Sequence, residues 1–299
     1  GIVNQLINYN FKKLILIDNS EYNLYSIINK LSKLKKTKDI SFHLEDFDNN
    51  FFISKILQQY SVDIIFHAAA YKHVPLIEIN PFSAIKNNFL NTHNFIKLCK
   101  SFKVPYFCLI SSDKAVRPTN YMGASKRLSE LSAIYLNKFQ NKHTKICCVR
   151  FGNVINSSGS VLPLFTKQID KGGPLTLTDK KIIRYFMTIE EAANLVISVY
   201  QISKGGEIFL LDMGEPIKLY DLAKMMIQFS GKRQGSSGSG NIKIKYIGLR
   251  KGEKLFEELL VNNNSKKTSL KNIFQSIEKT MDMRKFEKIF NEIKNSYNK

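Results

Sequence analysis

Tyr106–Ser111 reads YFCLIS, and Ser111–Lys126 continues as SSDKAVRPTNYMGASK. The first six residues have the apolar, aromatic composition of a buried strand. That strand ends in two hydroxyls, an acid and a base, and a helix bearing Lys126 follows over Tyr121–Gln140. A strand that passes through a polar loop into a helix is a building unit of a parallel sheet covered by helices. In open α/β sheets ligands bind beyond the carboxyl ends of the strands. Ser112, Asp113 and Lys114 therefore stand where chemistry is expected. The adjacent Asp113 and Lys114 offer a proton donor and a proton acceptor within one short loop. The alternative is an exposed ion pair of little structural value.

The same alternation extends in both directions. Strands are expected at Lys13–Asp18, Ile40–Leu44, Asp63–Ala68 and Lys145–Phe151. Helices are expected at Glu21–Leu34, Phe51–Tyr60 and from Pro81 to about Phe102. After Asn153 the elements become shorter and mixed. Leu162–Lys171, Ile189–Ser203 and Leu219–Phe229 read as helices, Glu207–Asp212 and Ile242–Ile247 as strands. We therefore expect a doubly wound parallel sheet over residues 1–153 and a smaller mixed region over 154–299, with a ligand cleft between them. Gln234–Gly240 (QGSSGSG) has the composition of a flexible linker, natural or engineered. Gly1–Asn10 reads as a helix leading straight into the KLILID strand. A dinucleotide fold has a strand and a Gly-rich turn before that helix. The expectation is thus a sheet interrupted beside Leu14–Asp18.

With 299 residues, 43% of them hydrophobic, the chain can bury one large core or a large and a small one. No apolar run reaches the roughly 18–20 residues needed to cross a bilayer, and no signal peptide is recognisable. Cys99, Cys108, Cys147 and Cys148 lie in apolar stretches without metal-ligand spacing, so reduced core cysteines are expected, with no metal and no disulfide. The 45 basic and 25 acidic residues give a net charge of +20. An anionic partner is one reading. The lysines are scattered, however, and the tightest run, Lys33–Lys38, suits a solvated helix end. No nucleic-acid module accompanies them, so no nucleic acid is expected.

Three further stretches suit a dinucleotide. Asp18 ends its strand where an acid accepts hydrogen bonds from adenosine ribose hydroxyls, or else caps the next helix. Asp46 and Phe47 suit the adenine edge, or a turn. In FHAAAYKHVP (Phe66–Pro75), Ala68, Ala69 and Ala70 allow close approach to the backbone, or tight helix packing. Lys72 and His73 follow with polar groups at the sheet mouth. Lys126, held beside a nicotinamide ribose, would bind its hydroxyls and lower the pKa of neighbouring acids.

Taken together, these segments resemble the polysaccharide-biosynthesis branch of the extended short-chain dehydrogenases/reductases, especially the UDP-N-acetylglucosamine 4,6-dehydratases and their large membrane-anchored members. The matching motifs run from KLILIDNSEYNLY (Lys13–Tyr25) through FHAAAYKHVPL, SSDKAVRPTNYMGASKR and VRFGNV (Val149–Val154). They continue through GSVLPLF (Gly159–Phe165), TDKKIIRYFMTIEEA (Thr178–Ala192), LDMGEP (Leu211–Pro216) and GLRKGEKLFEEL (Gly248–Leu259). The resemblance implies a Rossmann-type fold, NAD, a UDP-sugar substrate and a homo-oligomer. It implies a cytoplasmic site, with any membrane anchor in segments outside this chain. It makes Asp113 the acid for the carbon-6 hydroxyl, Lys114 the base at carbon 5, and Ser112 the hydroxyl near carbon 4. Asp18, Asp46, Phe47, Ala68, Ala69, Ala70, Asn88 and Lys126 fall on dinucleotide positions. Lys72, His73, Asn153, Arg184, Arg250 and Glu253 fall on positions facing the nucleotide sugar, where an arginine can bind a pyrophosphate bidentately.

Met122 stands where the wider superfamily has a tyrosine, four residues before the lysine. Tyr121 lies roughly 140° away from Lys126 around a helix and cannot replace it. The implied reaction is an internal redox cycle: oxidation at carbon 4, loss of water across carbons 5 and 6, and hydride return to carbon 6. The rivals are an epimerase or reductase on the same fold and a catalytically idle dinucleotide-binding scaffold. A carboxylate at Asp18 would repel a 2′-phosphate. NAD should therefore bind more tightly than NADP in direct titrations; tighter NADP binding would contradict the assignment of Asp18.

Overall fold

The computed structural model describes residues 1–33, 39–138, 143–157, 159–235, 241–258, 264–278 and 281–297. Strand β1 (Leu14–Asp18) pairs in parallel with β2 (Ile40–Leu44), from Leu14 opposite Ile40 to Asp18 opposite Leu44. Strands β3 (Ile64–His67), β4 (Tyr106–Ile110), β5 (Lys145–Arg150) and β6 (Ile208–Leu211) lie side by side in parallel. Strands β7 (Ser265–Lys267) and β8 (Ile273–Ser276) complete that sheet antiparallel, in the order β3-β4-β5-β6-β8-β7. Among the described residues, β1 and β3 do not pair with each other, so the sheet is interrupted where the sequence pattern predicts.

Burial on both faces explains the continuous apolar run of YFCLI. Phe107 and Leu109 enter one core with Ile53, Ile96, Ala133, Leu136, Ile146 and Cys148. Tyr106 and Cys108 enter the opposite core with Cys147, Val149, Val196, Val199 and Phe209. Successive residues of a strand point to opposite faces, so one strand serves both cores. A third cluster, from Phe165 and Ile169 to Ala223, Ile227 and Ile242, holds together the smaller elements of the C-terminal half. That half does more than fold over the sheet, because β6, β7 and β8 belong to it.

Several elements differ from expectation. The stretch read as one helix from Pro81 is α-helical over Pro81–Ala84, π-helical over Ile85–Asn91 and α-helical again over Thr92–Ser101. The opening helix is shorter, Ile2–Leu6, and places Ile2 against the second core and Ile7 against Leu31 and Ile40. The sequence pattern did not assign the helix Met283–Tyr297. Its Phe286 and Phe290 meet Phe89 edge-on, and Phe286 stacks on His93 while Phe290 lies tilted against it. Of QGSSGSG, residues 236–240 lie outside the described residues, as do residues 34–38 of the lysine run. All four cysteines are free and buried. Among the described residues, no cluster of metal-ligand type occurs and no helix is long and apolar enough to cross a membrane.

Candidate active site at the carboxyl end of β4

Beyond β4 the backbone stays tied to β5: Ser111 N–H donates to Val149 O at 2.8 Å and Asp113 N–H to Phe151 O at 3.1 Å. Ser112 is extended and caps a short 3-10 turn, Asp113–Ala115. Its Oγ accepts from Lys114 N–H at 3.2 Å and donates to Asp113 Oδ1 at 2.8 Å. Lys114 Nζ donates to the same Asp113 oxygen at 2.9 Å and reaches Asn153 Oδ1 at 3.4 Å. Asp113 is 1% exposed, so this pair is shielded from the solvent that weakens surface ion pairs. Burial works against a charged Lys114, but the nearby Asp113 and Glu257 carboxylates outweigh it and hold the ammonium above the ordinary lysine range.

Lys126 approaches from the helix Tyr121–Lys138, donating from Nζ to Ile110 O at 2.5 Å. Burial lowers its pKa to about 8, with the charge of Glu130 acting in the opposite sense. His67, at the end of β3, is pushed down to about 3, first by burial and then by the Lys126 charge, and it remains a neutral core imidazole. Its Nε2 lies 3.0 Å from Thr92 Oγ1.

The expected dinucleotide residues fall into two groups. Ala68 and Ala69 are exposed and Ala70 half-buried, directly after β3. Asp46 Oδ2 accepts from Asn19 Nδ2 at 3.1 Å, whereas Oδ1 is buried with no partner among the described residues. Ser20 caps the following helix, and Asp18 braces that cap, with Oδ1 accepting Ser20 N–H at 2.8 Å and Oδ2 accepting Asn23 Nδ2 at 3.3 Å. Phe47 is a core ring packed edge-on to His67, with centroids 4.6 Å apart. Asn88 is also fully used within the protein. It bonds Tyr71 N–H at 2.8 Å, Tyr71 O at 2.9 Å and Ser125 Oγ at 3.0 Å, clamping the loop after β3 to the lysine-bearing helix.

On the other side of the pair, the segment after Gly248 closes onto the β4 loop. Thr119 Oγ1 and Asn120 Nδ2 both donate to Gly252 O at 3.0 Å, and Lys254 Nζ donates to Val116 O at 3.0 Å. Arg184 is buried and donates to the carbonyls of Ile183, Leu255 and Lys254. Its guanidinium thus secures this segment. Glu253 Oε1 lies 3.4 Å from Arg184 Nη2 and accepts from Thr178 Oγ1, while Oε2 accepts Arg250 N–H. Arg250 itself is exposed. Lys72 and His73 are exposed too, and His73 abuts Gly159, where a Cβ would lie 2.3 Å from the imidazole Cε1. The structure thus brings Ser112, Asp113, Lys114 and Asn153 into one cluster and joins Arg184 and Glu253 beside it. Among the described residues, Lys72 and His73 make no polar contact with that cluster, and Arg250 meets it only through its backbone N–H on Glu253.

A family model described as "Polysaccharide biosynthesis protein" matches residues 1–278. The chain belongs to that family. Its relative in Staphylococcus aureus, the capsular polysaccharide biosynthesis protein CapD, is 45% identical over 264 residues, which make up 88% of this chain and 43% of CapD. The chain therefore spans less than half the length of that relative. The X-ray structure of Pen from Bacillus thuringiensis superposes with a TM-score of 0.81 at 32% identity, covering 97% of this chain and 93% of Pen. DesIV from Streptomyces venezuelae, a dTDP-glucose 4,6-dehydratase solved with NAD and TYD bound, superposes with a TM-score of 0.73. At 19% identity, covering 86% of this chain and 83% of DesIV, it shows the fold alone.

Within this polysaccharide-biosynthesis fold, Met122 is 3% exposed and packs with Ile77, Ala84 and Val74 beneath the helix. It is a packing residue, and neither its position nor its chemistry supplies a proton acceptor. The next residue sets the spacing between helix and loop. A Cβ on Gly123 would lie 2.2 Å from Lys114 O and 3.2 Å from Pro118 Cβ. Alanine ordinarily favours a helix over glycine. Gly123→Ala should nevertheless destabilise the protein by about 1–3 kcal/mol, because the loop backbone has to move. Urea unfolding checks this, and a more stable variant would contradict the close packing.

Proposed function

We propose that the chain carries a nucleotide-sugar 4,6-dehydratase site, converting UDP-N-acetylglucosamine to a UDP-4-keto-6-deoxy-hexosamine for surface glycan synthesis. The observation that supports this best is the buried Asp113–Lys114 contact at the carboxyl end of a central strand. The residues fit NAD as the cofactor. Asp46 Oδ1 has no partner among the described residues, Ala68 and Ala69 are small and exposed at the end of β3, and Lys126 reaches the carbonyl that ends β4. When bound, NAD would supply a hydride acceptor for sugar carbon 4 and a hydride donor for carbon 6.

The chain's own residues manage the protons. Elimination needs an acid at the departing carbon-6 hydroxyl and a base at carbon 5, roles that fall to Asp113 and Lys114. The pair holds one proton between them, whether as carboxylate and ammonium or as carboxylic acid and amine. The resting form keeps that proton on Lys114. Transfer across the 2.9 Å contact from Nζ to Oδ1 makes both groups reactive at once. Ser112 Oγ donates to the same carboxyl oxygen and so fixes its orientation. Asn153 Oδ1 accepts from Lys114 and limits the sweep of the amine.

A 4-epimerase needs no acid to expel a hydroxyl, so the reaction is separable by its product. Protein incubated with NAD and UDP-N-acetylglucosamine should release water, seen by mass spectrometry as a dehydrated nucleotide sugar. Asp113→Asn should slow that step on the order of 10²–10⁴-fold while sparing oxidation at carbon 4. Dehydration by Asp113→Asn at the parental rate would remove the acid role and favour an epimerase or reductase. No product from the parental protein would favour the idle scaffold.

A further inference from the structure

Glu257 was not singled out in the sequence, although it lies within the KLFEEL stretch. Its side chain is 4% exposed, and its Oε1 stands 3.6 Å from Lys114 Nζ and 3.8 Å from Arg184 Nε. Both distances exceed those of a hydrogen bond. Its Oε2 is buried with no partner among the described residues.

Another buried carboxylate of the same protein provides the contrast. Glu130 Oε1 accepts from Ser111 Oγ at 2.6 Å and Arg150 Nε at 2.7 Å. Its Oε2 accepts from Arg150 Nη2 at 2.7 Å and Arg127 Nη1 at 2.9 Å. Burial is opposed there by Arg150 above all, and Glu130 stays below the ordinary glutamate range. A buried carboxylate without hydrogen bonds is costly to the fold. One kept in that state beside a candidate acid and base calls for a functional account.

We propose that Glu257 is a positioning residue for Lys114, a buried negative charge that holds the Nζ group at Asp113 and governs how readily its proton passes to the Asp113 carboxyl. This rests on the assignment of Lys114 as base and Asp113 as acid. The proton transfer is balanced within the pair, leaving an amine and a carboxylic acid, and needs no further reactant. Four charged groups face Glu257: Asp113 and Lys114 from the loop after β4, Arg184 from the short strand Ile183–Arg184, and Lys254 from its own segment. Burial raises the Glu257 pKa most and Asp113 adds to it, while Lys114, Arg184 and Lys254 oppose; the net direction is upward. Glu257 therefore takes up a proton more readily than an ordinary glutamate as pH falls. The Lys114 ammonium then loses one of its two carboxylate partners, and its proton moves more easily to Asp113.

Competitive acetylation with acetic anhydride over a pH series, read as the Lys114 peptide by mass spectrometry, follows this ionisation without turnover. Glu257→Gln keeps size and removes charge. Below the pH at which the parental lysine ionises, Lys114 in that variant should acetylate on the order of tenfold faster. Glu257→Asp keeps the charge but withdraws it, and should give an intermediate curve. Glu258→Gln, a neighbouring glutamate paired with Arg117, should leave the curve unchanged. An unchanged Lys114 curve in Glu257→Gln overturns the proposal. If that variant does not fold, Glu257→Asp decides alone, and a parental curve there overturns it equally. The titration separates this proposal from the enzymatic one: failure of the parental protein to dehydrate the nucleotide sugar contradicts the function, whereas the Lys114 curve still decides Glu257.

Discussion

Arg150 ends β5 with a fully buried guanidinium, and a charge so placed is tolerable only where it is neutralised and hydrogen-bonded. Glu130, from the helix Tyr121–Lys138, meets it through two hydrogen bonds, and Glu278 contacts it from beyond β8. Removing one partner of such a pair typically costs about 3–5 kcal/mol, because the other charge is left uncompensated. The network also reaches the site, because Glu130 Oε1 accepts from Ser111 Oγ. The helix carrying Lys126 is thereby fastened to the ends of β4 and β5. The loop holding Ser112, Asp113 and Lys114 leaves from a fixed point.

From that anchor the site is built by close approach rather than by a deep cavity. Gly123 allows the helix to lie against the Lys114 carbonyl, and Gly252 brings the closing segment onto Thr119 and Asn120. Arg184 donates to the Lys254 and Leu255 carbonyls of that segment. The resulting enclosure keeps the contact between Asp113 and Lys114 largely out of solvent. Water would screen an exposed Asp–Lys contact, whereas side-chain exposures of 1% for Asp113, 4% for Glu257 and 19% for Lys114 leave their charges less screened.

Much of this was legible in the sequence for physical reasons. Continuous apolar strands and their helical partners revealed the parallel sheet, and the missing Gly-rich turn foretold its interruption. Ser112, Asp113 and Lys114 were legible as one polar loop beyond a strand, whereas Asn153 was marked only by the resemblance. Other features depend on packing that no local pattern encodes. Asp18 reads equally as ribose acceptor and helix cap, and here it bonds Ser20, which is the cap, and the Asn23 side chain. Phe47 and Met122 are apolar residues whose rings and chains turned to the core. Asn88 gained its clamp role from a π-helical turn that the apolar spacing does not announce. Glu257 and Glu258 are adjacent and chemically identical in sequence; burial alone distinguishes them.

The central claim is that Lys114 and Asp113 form an acid–base pair for elimination. It is tested most directly by rapid-quench turnover in deuterium oxide with NAD and UDP-N-acetylglucosamine, comparing the parental protein with Lys114→Ala. The parental protein should incorporate solvent deuterium at carbon 5 as water is lost, and Lys114→Ala should oxidise carbon 4 yet exchange carbon 5 slowly. Carbon-5 exchange at the parental rate in Lys114→Ala would contradict the assignment.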